Sequence, residues 1–134
     1  MIVKLDRRNF EYFLREAEGK HPIEACGVIF GSINGEKAHI EKIVPLRNML
    51  ESETMFQIDP EEFLKVLMEH EGKGLQHIGF FHSHPRGVNP SLTDIKYMSL
   101  WPESIWIIVS QLELKIAAYR ITDGRLEEVD VIVE

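Results

Sequence analysis

The stretch from residue 78 to residue 100 constrains the fold more than any other part of the chain. Residues 78–81 form an apolar run typical of a buried strand, and His82 and His84 follow it closely. Side chains alternate between the two faces of a strand, so both imidazoles point the same way. A turn is predicted next by three residues that favour turns, Pro85, Gly87 and Pro90. Residues 91–100 then predict a short helix.

This order of elements predicts a metal site. Asp94 lies in the first turn of the predicted helix, which could bring its carboxylate back toward the imidazoles. Two neutral imidazoles and one carboxylate are typical zinc ligands, and a fourth position left open for water is typical of a catalytic site. Two structural explanations stand beside this one. Histidine pairs are also common without a metal, and Ser91 with Asp94 also fits a helix capping box.

The combination of motifs resembles the JAMM motif of the MPN-plus (Mov34/JAB) zinc metalloproteases, in particular their small stand-alone prokaryotic members. The motif is His82-Ser83-His84-Pro85 followed by Pro90-Ser91-x-x-Asp94. Residues 21–31 resemble the glutamate-bearing segment of that family, and residues 45–48 and 56–60 resemble its middle. The resemblance extends over residues 5–120.

The resemblance implies a zinc-dependent isopeptidase or peptidase that cleaves after the Gly-Gly tail of ubiquitin-like or sulfur-carrier proteins. It implies one zinc ion per chain, bound by His82, His84 and Asp94. It also implies Glu24 as the general base and Ser91 as the hydrogen-bond donor to the developing oxyanion. Without the resemblance, Glu24 would be taken for an ordinary surface glutamate. The implied partners are ubiquitin-like modifiers and their conjugates, and a homodimer is one expected form of the enzyme.

Two other functions fit parts of the sequence. A zinc nucleoside deaminase shares the predicted fold class, but its Pro-Cys-x-x-Cys signature is missing and Cys26 is the only cysteine. The second alternative is a catalytically silent MPN scaffold that binds protein partners. Such scaffolds usually lack the metal ligands, whereas this chain has the complete motif.

Composition limits the partners and the compartment. The formal net charge of −7 and the scattered basic residues argue against a nucleic-acid surface. A length of 134 residues with 44% hydrophobic content predicts one domain, residues 1–134. Cys26 has apolar neighbours, which predicts a buried thiol. No signal segment or membrane-spanning run is found, so we expect a cytoplasmic protein without a membrane partner.

The pattern of apolar residues predicts an α/β fold. We expect a mixed, mostly antiparallel sheet flanked by helices, with the cytidine-deaminase-like architecture that the resemblance implies. Asp6 and Asp59 are predicted helix N-caps. In the helix after Asp59, three residues are predicted to face the core: Leu64, Leu67 and Met68. His70 and His77 are predicted at the surface, and residues 49–55 are predicted to be mobile and to border the substrate groove.

Overall fold

The computed structural model describes all 134 residues. The chain forms seven strands and three helices: β1 (Ile2–Leu5), α1 (Arg7–Lys20), β2 (Cys26–Asn34), β3 (Lys37–Leu46), α2 (Pro60–Glu71), β4 (Gln76–His84), α3 (Leu92–Met98), β5 (Ile105–Ser110), β6 (Lys115–Thr122) and β7 (Arg125–Val133). None of the helices combines the length and the apolar character that crossing a membrane requires.

The seven strands form one closed sheet in the order β1-β3-β2-β4-β5-β6-β7. Four neighbouring pairs are antiparallel and three are parallel, which confirms a mixed, mostly antiparallel sheet. β1 closes the sheet because it pairs in parallel with β3 on one side and with β7 on the other. The predicted sheet flanked by helices is therefore corrected to a closed barrel. A strand of four residues does not reveal its partners through periodicity, so the sequence could not predict this closure.

The middle segments of the central strands, residues 26–31, 78–81 and 105–109, are apolar because they are buried on both faces. Alternate residues belong to two hydrophobic clusters. In β2, Ile29 lies in the cluster that α1 covers, whereas Val28 and Phe30 lie in the cluster against which α2 and α3 pack. β4 divides in the same way, with Phe81 in the first cluster and Phe80 in the second. The helices thus lie over opposite faces of the central strands.

The N-caps of the first two helices are those that the sequence predicts. The Asp6 carboxylate accepts from the backbone N–H of Asn9 at 2.7 Å. The Asp59 carboxylate accepts from the backbone N–H of Glu61 at 3.0 Å, and Pro60 occupies the first helical position. Such caps satisfy N–H groups that have no partner inside the helix.

The inward face of α2 differs from the prediction. Leu64 and Met68 are 54% and 66% exposed, so their placement in the core is wrong. The residues that pack against the core are Phe63, Val66 and Leu67. His70 is buried rather than at the surface, and its ring stacks on Phe30 at 4.5 Å. Apolar residues occupy two neighbouring stripes of this helix, so the spacing alone could not select the buried stripe.

The register between β2 and β4 places the functional segments side by side. Cys26 lies opposite His82 in the antiparallel pair, so residues before β2 approach the end of β4. β5 runs parallel to β4 on its other side, and Gly79 makes the close approach possible. A Cβ at Gly79 would lie 1.7 Å from the carbonyl oxygen of Ile105.

Candidate metal centre

The two histidines lie at the C-terminal end of β4 with their rings on the same side of the sheet. The ring centroids of His82 and His84 are 5.0 Å apart. His82 is fully buried, whereas His84 is partly exposed. Ser83 lies between them, and its Oγ accepts from the backbone N–H of Ala25 at 2.7 Å. The spacing that the sequence predicts therefore places both imidazoles together and uses the intervening serine to hold the segment that carries Glu24.

Asp94 reaches the histidines from the first turn of α3. Its Oδ2 lies 3.1 Å from His82 Nε2 and 3.0 Å from His84 Nε2. The same oxygen accepts from the backbone N–H of Ser91 at 2.9 Å. Burial alone would raise the pKa of Asp94, but the two imidazoles that lie within 3.1 Å of its Oδ2 outweigh this effect and hold that pKa well below its usual value. Asp94 is therefore an ionised acceptor at the centre of the cluster.

Glu24 lies in the irregular segment before β2 and approaches the same cluster. One ligand atom from each of Glu24, His82 and His84 lies within 4.8 Å of the other two. Glu24 is only 2% exposed, and its Oε1 has no hydrogen-bond partner. Burial, with a smaller contribution from the negative charge of Asp94, raises the pKa of Glu24 to about 8. A carboxyl group in this state exchanges protons near neutral pH.

The partnerless atoms of this cluster fit a divalent cation. His82 Nε2 is buried and makes no hydrogen bond, because its 3.1 Å approach to Asp94 Oδ2 lacks the required alignment. Glu24 Oε1 is a second buried atom without a partner. Burial lowers the pKa of His82, which favours the neutral ring that binds metals. Orphaned buried polar atoms are costly, and a metal held by imidazole and carboxylate groups would satisfy them.

Ser91 lies beside the cluster as the N-cap of α3. Its Oγ accepts from the backbone N–H of Asp94 at 3.0 Å, and the Asp94 carboxylate accepts from the Ser91 N–H in return. This is the complete capping box that the sequence predicts as the structural alternative. The cap uses the Ser91 oxygen only as an acceptor, which leaves the hydroxyl proton available for another acceptor.

Two neighbours of the cluster are not evident from the sequence motif. Phe56 stacks on His82 with ring centroids 4.7 Å apart, and it also lines an apolar cavity of about 300 Å³ with Tyr97 and Trp106. Asn48 is buried beside Glu24 and donates to its carbonyl oxygen at 3.2 Å. Asn48 lies in residues 45–48, which resemble the middle of the family, but that resemblance assigns it no role, and one amide residue in a polar connection is too common to single out a functional position.

Comparison with known proteins agrees with this geometry. Residues 6–122 match the family described as prokaryotic homologs of the JAB domain. A desampylase from Pyrococcus furiosus is 37% identical over 113 residues, which cover 84% of this chain and 77% of the relative. A CysO-cysteine peptidase from Mycobacterium tuberculosis is 30% identical over 137 residues, covering 99% of this chain and 90% of the relative.

The fold is also similar to that of a solved structure. The solution structure of a protein from Desulfitobacterium hafniense superposes with a TM-score of 0.88 at 29% identity, and the match covers 98% of this chain and 92% of the other. The family match extends over most of the sequence, including the segments that carry Glu24, the histidine pair and Asp94. The chain therefore belongs to the family of prokaryotic homologs of the JAB domain, as the resemblance of its motifs predicts.

Proposed function

We propose that the protein is a zinc-dependent isopeptidase or peptidase that cleaves after the Gly-Gly tail of ubiquitin-like or sulfur-carrier proteins. The relatives named desampylase and CysO-cysteine peptidase support this class of reaction. The observation that carries the proposal is the position of Glu24, buried and without a partner at Oε1, beside His82 and His84.

In this proposal, His82, His84 and Asp94 hold one zinc ion per chain. The chemical nature of this donor set supports the assignment, since two imidazoles and one carboxylate are typical of catalytic zinc sites. When bound, zinc supplies Lewis acidity, which lowers the pKa of water and polarises the scissile carbonyl. The low pKa of Asp94 keeps its carboxylate ionised for this role. Phe56 covers one face of the His82 ring and restricts its orientation.

Glu24 is the proposed general base. It takes a proton from the attacking water and passes it to the amine that leaves as the peptide or isopeptide bond breaks. Burial raises the pKa of Glu24 to about 8 in the metal-free protein, and the positive charge of a bound cation would lower it again. A carboxyl group that titrates near neutral pH can accept and release a proton during one turnover. The burial of Glu24 excludes bulk water, which would otherwise compete for the proton.

Ser91 is the proposed donor to the developing oxyanion. Its hydroxyl proton is not used by the capping box, and its backbone N–H already contacts Asp94 Oδ2. One such hydrogen bond contributes about 3 kcal/mol to the stability of a transition state. The proposed substrates and partners are small proteins that end in Gly-Gly and their conjugates.

The experiment that tests this function is cleavage of Gly-Gly conjugates followed by intact mass. A panel of ubiquitin-like and sulfur-carrier proteins, linked through Gly-Gly to lysine or to cysteine, is incubated with zinc-loaded wild type, with Glu24→Gln and with Glu41→Gln. Glu41 is an exposed glutamate on β3 and serves as the matched control. We expect cleavage at the terminal glycine by wild type and Glu41→Gln, and none by Glu24→Gln.

Metal content separates the enzyme from a silent scaffold. We expect wild type and Glu24→Gln to hold one zinc ion per chain. A wild type that binds no zinc and cleaves no member of the panel would contradict the proposal and favour the scaffold. Cleavage by Glu24→Gln at the wild-type rate would contradict the role of Glu24 alone.

A further inference from the structure

Asn48 uses both ends of its side-chain amide in one buried network. The residue is only 6% exposed. Its Nδ2 donates to the carbonyl oxygens of Met55 at 2.9 Å and Glu24 at 3.2 Å, and it approaches that of Ser52 at 3.5 Å. Its Oδ1 accepts from the backbone N–H groups of Leu50 at 3.0 Å and Gln57 at 3.2 Å. The Asn48 side chain thus links the loop between β3 and α2 to the segment that carries Glu24 through hydrogen bonds.

Glu24 depends on this network because it lies outside any regular element. β2 begins at Cys26, so no sheet ladder holds the peptide groups on either side of Glu24. The backbone N–H of Glu24 donates to the carbonyl oxygen of Ser52 at 2.9 Å, and its carbonyl oxygen accepts from Asn48. On the other side, the N–H of Ala25 donates to Ser83 Oγ. A fourth hydrogen bond runs from Gln111 Nε2 to the carbonyl oxygen of Ile23 at 3.0 Å. The two peptide groups that flank Glu24 are therefore held by four hydrogen bonds, two of them to the loop that Asn48 organises.

We propose that Asn48 is a positioning residue for the proposed general base Glu24. It acts through the Glu24 peptide group and through the loop carbonyl of Ser52, without contact with the reacting atoms. The inference rests on the proposed function of Glu24. A carboxylate that transfers a proton must be held within a fraction of an ångström, and a displacement of about 1 Å can slow catalysis by about 100-fold. Only an amide side chain of this length supplies donors and an acceptor in one plane.

Two substitutions separate the two halves of the Asn48 amide. Asn48→Ala removes both the donors and the acceptor. Asn48→Asp keeps the shape and the acceptor for Leu50 and Gln57, but it removes the donors to Glu24 and Met55. Asn9→Ala is the matched control, since Asn9 also donates from Nδ2 to a backbone oxygen, that of Ile40, far from Glu24 in the chain.

The kinetic test uses a Gly-Gly substrate that the wild type cleaves. We expect kcat to fall by about 30- to 100-fold in both Asn48 variants, with KM changed by less than about threefold and with one zinc ion per chain retained. Asn9→Ala should match wild type. A rise in KM with kcat unchanged would mean that Asn48 only shapes a binding loop, and wild-type kcat in Asn48→Asp would overturn the proposal.

A second readout does not depend on activity or metal. Amide hydrogen exchange of the metal-free proteins, followed by NMR, should show the Glu24 and Ala25 N–H groups exchanging at least about tenfold faster in Asn48→Asp than in wild type. Amides in β4 should be unchanged, which distinguishes a local effect from general unfolding. Unchanged exchange at Glu24 would overturn the proposal even if no member of the substrate panel is cleaved. Failure of wild type to cleave any substrate would instead contradict the proposed function.

Discussion

The two sides of the candidate site are built in different ways. His82, His84 and Asp94 lie within thirteen consecutive positions, on a regular strand and a capped helix. Glu24 lies in an irregular segment, and the peptide groups beside it are held from three distant parts of the chain: Asn48 with Ser52, Ser83, and Gln111. The residues of the proposed ligand side lie close together in the sequence, whereas the position of the proposed base depends on tertiary contacts.

This difference predicts that substitutions on the two sides have separate effects. Substitutions of the proposed ligands should remove the metal and every activity that depends on it. Substitutions on the Glu24 side should leave the metal bound and slow proton transfer. The following changes are ordered from the largest expected effect to the smallest.

Asp94→Ala should have the largest effect. It removes the oxygen that lies 3.0 to 3.1 Å from both imidazoles, so we expect loss of bound zinc and cleavage at the level of a blank without enzyme. Elemental analysis and the conjugate assay measure both quantities. Asp130→Ala, at an exposed aspartate of β7, is the control. Full zinc content in Asp94→Ala would show that the ligand side does not need this carboxylate.

Glu24→Gln should change the pH dependence of stability in the metal-free protein. The pKa of Glu24 is raised from 4.5 to about 8 in the folded state, so the folded chain keeps a proton that the unfolded chain releases. Stability of wild type should therefore fall as the pH rises from about 4.5 to about 8, and the glutamine variant should lack this decrease. We expect equal stability near pH 4 and an advantage for Glu24→Gln on the order of 5 kcal/mol near pH 9.

Denaturant unfolding at several pH values measures this difference. The same experiment on Glu41→Gln should give the wild-type profile, because Glu41 is exposed. Parallel stability profiles for wild type and Glu24→Gln would show that the pKa of Glu24 is not raised in the folded protein.

Ser91→Ala should slow turnover by about 100-fold while zinc content stays at the wild-type level. The free energy of unfolding should also fall by about 1 kcal/mol, because the cap of α3 loses its acceptor. Ser99→Ala removes a hydroxyl at the other end of the same helix and should affect neither rate nor metal. A zinc loss in Ser91→Ala that exceeds the loss of rate would contradict the oxyanion role.

Hydrogen exchange across residues 49–55 should show the smallest effect. The amides of Met49 and Leu50 donate to Gln57 and to the Asn48 side chain, with no sheet ladder to support them. We expect protection about tenfold below that of β2 and β4, which would be the mobility that the sequence predicts, in a loop that the Asn48 network still links to Glu24. Protection equal to that of the central strands would show that the Asn48 network makes this loop part of the rigid core.

The sequence predicted the local side of the site better than the distant side. Spacing placed His82, His84 and Asp94 on strand, turn and helix, because those positions lie close along the chain. Glu24 was identified only through a family resemblance, and no functional role was predicted for Asn48. The position of each residue is set by contacts with residues that are distant in the sequence. The inward face of α2 was misassigned for a related reason, since the choice between two apolar stripes is made by the sheet beneath the helix.

The closure of the sheet has a consequence for how the chain is made. The residues proposed for the site lie within the first 94 positions, whereas closure requires residues 130–133 to pair with residues 2–5. Pairs so distant in sequence form late, because the entropy of closing the intervening chain must be overcome first. A nascent chain therefore carries all the side chains of the candidate site while the sheet is still open, so the proposed binding of a metal and the closure of the barrel can be separate steps.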